Sequence, residues 1–121
     1  MTRVLIVEGD NALRDLYAVA LGEEGYEVLT ASGFTDALAQ NLLHCPEVIV
    51  MDPGADRKGL EFAIEFIRTN GRARVIFNTP DAYHYSRDFH AWVADGIAEK
   101  CGGAIALVSA LRRLSGKRTR V

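Results

Sequence analysis

Residues 47–59 read EVIVMDPGADRKG, and this stretch decides the fold. Val48 to Met51 are four consecutive apolar residues, which is typical of a short strand buried on both faces of a parallel sheet. The run ends in Asp52, and a loop containing proline and glycine follows. A carboxylate at the end of a buried strand is costly unless a neighbouring group compensates its charge. The rest of the chain should supply that partner, unless Asp52 is only a solvated strand end.

Apolar strands of this kind alternate with helical patterns along the whole chain. The alternation predicts an α/β fold, with a five-stranded parallel sheet covered by five helices on its two faces. The strands are expected at 3–7, 26–31, 48–51, 74–78 and 97–99. The last three helices are expected near 60–68, 83–93 and 104–114. The apolar faces of the first two helices are predicted at Leu13, Leu16, Tyr17, Ala20 and Leu21, and at Phe34, Ala37, Leu38 and Leu42, with Ser32 capping the second.

The composition favours one globular domain inside the cell. The chain has 121 residues, is 49% hydrophobic and carries a net charge of −2. It has no apolar run near the ~20 residues that span a bilayer, and its N-terminus does not read as a signal peptide. We therefore expect a cytoplasmic protein with no membrane contact and no direct nucleic-acid binding. Cys45 and Cys101 are expected to be buried free thiols. Residues 1–114 are expected to form the domain, followed by a basic tail at 115–121.

The ends of four predicted strands carry polar side chains. With strand order 2-1-3-4-5 these ends lie side by side, and ligands of open α/β sheets bind beyond the carboxyl ends of the strands. The first strand is followed by Glu8, Gly9 and Asp10, the third by Asp52, the fourth by Thr79 and the fifth by Lys100. Clustered carboxylates can hold Mg²⁺, and an ammonium and a hydroxyl can hold phosphoryl oxygens. The sequence thus predicts a site for phosphoryl chemistry.

Four segments in this order resemble the receiver domain of two-component response regulators: VLIVEGD, VIVMD, VIFNT and ADGIAEK. The resemblance covers essentially the full length and implies a flavodoxin-like three-layer sandwich. It also implies roles for four residues. Asp52 would be the phosphoacceptor, Glu8 a member of the acidic pocket, Thr79 the switch hydroxyl and Lys100 the phosphate-sensing cation. The implied function is signalling by phosphorylation rather than enzymatic turnover of a substrate.

The resemblance further implies a cofactor and partners. The cofactor would be Mg²⁺, held by Glu8, Asp52 and the carbonyl of Gly54, with Asp10 as a further candidate ligand. The partners would be a sensor histidine kinase or phosphotransfer protein and a downstream protein or effector domain. A homodimer could form through the face made by strand 4, the fourth predicted helix (83–93) and strand 5. The aromatic residues Tyr83, Tyr85 and Trp92 fall in that region, although they could equally belong to the core.

The sequence departs from the receiver pattern at several positions. Gly9 stands where the family has a second acid that ligates the metal directly. Pro80 follows the switch hydroxyl and has no N–H to offer a phosphoryl group. Ile97 replaces the usual aromatic residue, and Cys101 replaces the proline after the lysine. These changes favour an alternative function, a pseudo-receiver that binds a partner protein without being phosphorylated.

Two further alternatives follow from single residues. Asp10 could cap the first helix instead of binding a metal. Asp52 could also be the nucleophile of a small hydrolase, but Asp56 is four residues away rather than the two that aspartate-nucleophile phosphatases prefer. The chain has no glycine-rich nucleotide motif either. Arg57 and Lys58 add positive charge near Asp52, which we expect to be solvated.

Overall fold

The computed structural model describes residues 2–54, 57–80 and 93–115. The described strands are β1 (Arg3–Val7), β2 (Glu27–Ala31), β3 (Val48–Met51), β4 (Arg74–Thr79) and β5 (Gly96–Glu99). The helices are α1 (Asn11–Glu23), α2 (Phe34–His44), α3 (Arg57–Thr69) and α4 (Gly103–Ser115), and a 3₁₀ turn at Lys100–Gly102 precedes α4. No helix in these ranges is long and apolar enough to cross a membrane.

The five strands form one parallel sheet in the order β2-β1-β3-β4-β5, as the sequence predicts. The three middle strands are almost completely buried, which matches their continuous apolar runs. Successive side chains of a strand point to opposite faces, so each middle strand contributes to two cores. Val4 and Ile6 face one core, and Leu5 and Val7 face the other.

Helices cover both faces of the sheet and complete three layers. One core contains Tyr17 and Leu21 of α1 together with Leu107 and Leu111 of α4. The core on the other face is built by α2 and α3, with Phe66 as its largest fully buried helical side chain. The described residues contain four α-helices. The remaining helix, predicted at 83–93, falls almost entirely outside the described residues.

Several local expectations are wrong. Leu16 and Leu42 are 51% and 62% exposed, because neither lies on the side of its helix that packs on the sheet. Gly33, not Ser32, is the N-cap of α2, and no side chain caps that helix. Cys45 and Cys101 are free, as predicted, but both are exposed. Helical spacing cannot separate the centre of an apolar face from its margin, and that explains the two leucines.

A buried amide network joins α2 to α3. Asn41, which is fully buried, donates from Nδ2 to the Phe66 carbonyl oxygen at 3.2 Å and to Thr69 Oγ1 at 3.0 Å. The Oδ1 of Asn41 accepts from Asn70 Nδ2 at 3.0 Å, and Asn70 Nδ2 also donates to the Pro46 carbonyl oxygen at 2.9 Å. These bonds satisfy polar groups that would be costly to bury alone, and they fix the two helices side by side.

We predict that Asn41→Ala lowers the free energy of unfolding by about 1–3 kcal/mol, because it removes the buried amide whose hydrogen bonds join α2 to Asn70 and to the end of α3. Asn11→Ala is the matched control, since Asn11 is exposed at the start of α1, and a change within about 0.5 kcal/mol is expected. Urea unfolding measures both. Equal effects of the two substitutions would contradict a structural role for the network.

Candidate functional site

The carboxyl ends of the parallel strands bring the predicted site residues to one edge of the sheet. Glu8 follows β1, Asp52 follows β3, Thr79 is the last residue of β4, and Lys100 follows β5. The β1–β3, β3–β4 and β4–β5 pairings place these strands next to one another. Residues that are far apart along the chain therefore share one edge because of strand order alone.

Lys100 lies between two carboxylates. Its Nζ is 2.9 Å from Glu8 Oε1 and 3.3 Å from Asp52 Oδ2. The side chains of Lys100, Glu8 and Asp52 are 21%, 10% and 31% exposed, so the contacts are only partly open to solvent. Asp52 therefore has the compensating partner that its position at the end of a buried strand requires. The partner is the Lys100 ammonium group, which follows the outer strand β5.

The same contacts set the charge state of Lys100. Burial by itself lowers the pKa of the ammonium group, but the hydrogen bond and charge of Glu8, with those of Asp52, outweigh it and raise the pKa of Lys100 above its ordinary value. Lys100 is therefore protonated at neutral pH. Since the pKa of Lys100 is raised in the folded state, its ion pairs stabilise the fold fully below the ordinary lysine pKa. This stabilisation is lost only as pH rises through the raised pKa.

Backbone N–H groups satisfy the remaining carboxylate oxygens. Glu8 Oε2 accepts from the Asp10 N–H at 3.0 Å, and Asp52 Oδ1 accepts from the Gly54 N–H at 3.0 Å. The second bond closes a tight turn in which Gly54 has φ of +75°, a conformation that favours glycine. All four carboxylate oxygens of Glu8 and Asp52 thus have a donor within the chain.

Asp10 has a local structural role. Its Oδ1 accepts from the Leu13 N–H at 3.0 Å, and Asp10 is the N-cap of α1. This geometry matches the capping alternative that the sequence left open, and it satisfies one of the free N–H groups at the start of the helix. Its predicted role as a metal ligand stays a prediction.

The other predicted positions lie around this centre. Thr79 is almost fully buried at the end of β4, whereas the next residue, Pro80, is exposed. Ile97 of β5 packs against the core on the α2 and α3 side, and Cys101 is exposed in the 3₁₀ turn after Lys100. Asp56 and the aromatic segment with Tyr83, Tyr85 and Trp92 lie outside the described residues.

Solved structures show what this architecture is similar to. The response regulator protein TrrA from Thermotoga maritima, crystallised in complex with Mg²⁺-BeF, is 30% identical, with a TM-score of 0.80 over 94% of this chain and 99% of that chain. The chain also matches the structure of histidine kinase ThkA in complex with TrrA, at 31% identity and a TM-score of 0.77, over 94% of this chain and 98% of that chain. The chemotaxis protein CheY4 of Vibrio cholerae shares the fold at 24% identity and a TM-score of 0.82, over 94% and 98% of the two chains.

The chain belongs to the response-regulator receiver family. No protein-family model matches it. Membership confirms the flavodoxin-like fold inferred from the four sequence segments, and it places the chain with the receiver domains of two-component systems.

The donor set of this receiver fits Mg²⁺ poorly. The oxygen ligands available at the site are the Glu8 and Asp52 carboxylates and the Gly54 carbonyl, because Gly9 has no side-chain ligand and the Asp10 carboxylate already caps α1. Both carboxylates already contact the Lys100 ammonium group. In the part of the chain that the structure describes, no group of three or more His, Cys, Asp or Glu side chains could hold a metal ion.

Two residues that support the site are missed by sequence reasoning. Arg14 of α1 donates from Nη1 to the Glu8 carbonyl oxygen at 2.8 Å, which places a second cation beside the acidic turn. Gly59 of α3 lets the backbone after Asp52 approach the helix closely, since a Cβ at this position would overlap the Pro53 carbonyl. A long cation in the first turn of a helix, and a glycine inside a helical pattern, are the only sequence signals for these roles.

We predict that Gly59→Ala destabilises the receiver by roughly 1–3 kcal/mol, because the new methyl group displaces Pro53 and the turn that holds Asp52. Helix propensity alone would give the opposite sign, since alanine is favoured over glycine by about 1 kcal/mol. Thermal or urea unfolding measures the change, and the amide NMR signals of Asp52 and Gly54 should shift.

Gly22→Ala in α1 is the matched control. A Cβ at Gly22 meets nothing within 4 Å, so this substitution should be neutral or stabilising by up to about 1 kcal/mol. If Gly59→Ala is as stabilising as Gly22→Ala, Gly59 has no role in positioning the turn.

Proposed function

We propose that the chain is a phosphoacceptor receiver of a two-component system, phosphorylated on Asp52 by a sensor histidine kinase or a phosphotransfer protein. The observation that carries this proposal is the environment of Asp52. Its carboxylate stands at the end of buried β3, partly open to solvent, with the Lys100 Nζ at 3.3 Å. A nucleophile is thus presented at the surface beside a fixed positive charge, which is what an incoming phosphoryl group requires.

The proposed step is a transfer from nitrogen to oxygen. An oxygen of Asp52 forms a bond to the phosphorus of a phosphohistidine on the partner. The phosphorus–nitrogen bond breaks, and its electron pair returns to the imidazole. The products are an acyl phosphate on Asp52 and an unmodified histidine. Because the donor set fits Mg²⁺ poorly, the proposed step uses no metal ion and, besides the partner's phosphohistidine, only groups of this chain.

The neighbouring groups have distinct tasks in this step. The Lys100 ammonium group offsets charge on the transferred phosphoryl oxygens. The Thr79 hydroxyl, at the end of the adjacent strand, is the group we expect to turn toward the new phosphoryl group. The Gly54 N–H fixes one Asp52 oxygen, which orients the carboxylate before the donor arrives. Asp52 is modified rather than turning over a substrate, so the proposed function is signalling and not enzymatic.

The kinase partner is supported by the similar structure of ThkA in complex with TrrA. The proposed output is a change at a protein-docking face that acts on a downstream protein or effector domain. We expect this face, and any homodimer, to involve strand 4, the segment after it and strand 5. Residues 81–92 of that segment lie outside the described residues.

We predict that incubation with a small phosphodonor such as phosphoramidate adds one phosphoryl group to the wild type and none to Asp52→Asn. The asparagine preserves the size of the side chain and an acceptor for the Gly54 N–H, but it removes the nucleophile. Intact-mass spectrometry measures the gain.

Asp36→Asn is the control for that measurement. It changes an exposed carboxylate on α2, and the variant should be labelled like the wild type. Labelling of Asp52→Asn would show that the acceptor is a different residue. No labelling of the wild type, under conditions that label a second receiver in the same tube, would favour the pseudo-receiver that binds a partner without phosphorylation.

A further inference from the structure

We propose that Lys100 takes the place of a divalent cation in this receiver, so that the Asp52 site works without Mg²⁺, and that Gly9 is the position that keeps the metal out. The proposal deepens the proposed function and concerns the same site. It has two parts. The first is that the protein does not bind Mg²⁺, which can be tested without any phosphorylation. The second is that Asp52 is phosphorylated without Mg²⁺, and this part rests on the proposed function.

The first observation is the position of the Lys100 ammonium group. It contacts one oxygen of Glu8 and one of Asp52, at 2.9 and 3.3 Å, so it lies where a cation bridging the two carboxylates would lie. The two other carboxylate oxygens accept from the Asp10 and Gly54 N–H groups. A divalent cation that binds both carboxylates would have to displace the ammonium group or share its oxygens.

The second observation concerns the charge around the carboxylates. Glu8, Asp52 and the adjacent Asp10 carry three negative charges, whereas Lys100 and Arg14 carry two positive ones, so the formal sum is −1. The Arg14 guanidinium group donates to the Glu8 carbonyl oxygen. Mg²⁺ binds through carboxylates and loses its waters reluctantly, so a nearly compensated pocket attracts it weakly. One further carboxylate would restore a clear excess of negative charge.

The third observation is that the backbone does not require glycine at position 9. Gly9 is not among the residues with positive φ, and a Cβ there would meet only the Ser32 carbonyl oxygen, at an ordinary contact distance of 3.6 Å. An aspartate at this position is therefore compatible with the fold. The effect of the glycine is chemical, because it leaves the pocket one carboxylate short.

The test is a titration with Mg²⁺, and in parallel with Mn²⁺, of the wild type and Gly9→Asp. Isothermal calorimetry and amide NMR shifts at Glu8, Asp52 and Gly54 report binding without any phosphodonor. We expect no saturable binding by the wild type at millimolar metal. For Gly9→Asp we expect saturable binding, with an affinity about 10- to 100-fold higher than any residual binding by the wild type.

Two further variants make the comparison specific. Gly71→Asp adds the same charge in the turn before β4, at the opposite end of the sheet, where a Cβ meets nothing within 4 Å. It should bind metal no better than the wild type. Lys100→Gln removes the ammonium group and should allow weak Mg²⁺ binding at Glu8 and Asp52. If Lys100 had only a structural role, its removal would not create metal binding. Far-ultraviolet circular dichroism checks that each variant is folded.

Saturable binding by the wild type within threefold of Gly9→Asp would overturn the proposal. So would phosphorylation of the wild type that occurs with Mg²⁺ and is abolished by EDTA, although Asp52 would then still be the acceptor. The supporting result is equal labelling of the wild type with Mg²⁺ and with EDTA. If the wild type is labelled under neither condition, the second part of the proposal fails together with the proposed function, and the calorimetry still decides the first part.

Discussion

The contact of one ammonium group with two carboxylates organises the candidate site. Lys100 joins the ends of β1, β3 and β5 through Glu8 and Asp52. At an effective dielectric constant near 20, a pair of unit charges about 4 Å apart gains about 4 kcal/mol. Partial removal of these groups from water costs a similar amount, so the net contribution to stability is small. What the contact provides is position, because it holds Asp52 next to a positive charge before any ligand arrives.

The strand order makes this contact available, and close backbone packing keeps it in place. In the order β2-β1-β3-β4-β5, strand β1, which Glu8 follows, lies next to strand β3, which Asp52 follows. Strands β4 and β5 bring Thr79 and Lys100 to the same edge. The turn after β3 packs so closely on α3 that only a glycine fits at position 59. The site therefore depends on a rigid element next to Asp52, as precise functional sites generally do.

Much of this organisation could be predicted from the sequence, because the sheet is buried on both faces. Runs such as Val48–Met51 have no polar face, so their strand character and their central place are plain. The strand ends then give Glu8, Asp52, Thr79 and Lys100. The spacing of Asp10 and Leu13 also indicates the helix cap, which depends on local geometry alone.

The features that could not be predicted depend on contacts between distant segments. Asn41 reads as a surface residue of a helix, yet it is buried because Asn70 and the end of α3 supply its partners. Arg14 reads as a solvated cation, and its bond to the Glu8 carbonyl follows from the way the chain enters α1. Polar side chains are assigned to the surface by default, and only the folded structure shows which of them have partners inside.

The glycines near Asp52 show why residue type alone does not reveal function. Gly54 has a positive φ in the turn that fixes the Asp52 carboxylate, and Gly59 leaves room for the Pro53 carbonyl. Either could be explained by geometry without any reference to chemistry. Gly9 has neither reason, since its backbone is ordinary and a side chain would fit. Because geometry does not demand a glycine there, its consequence is the charge that is missing beside Glu8, and we propose that this missing charge decides whether an ammonium group or a metal ion serves Asp52.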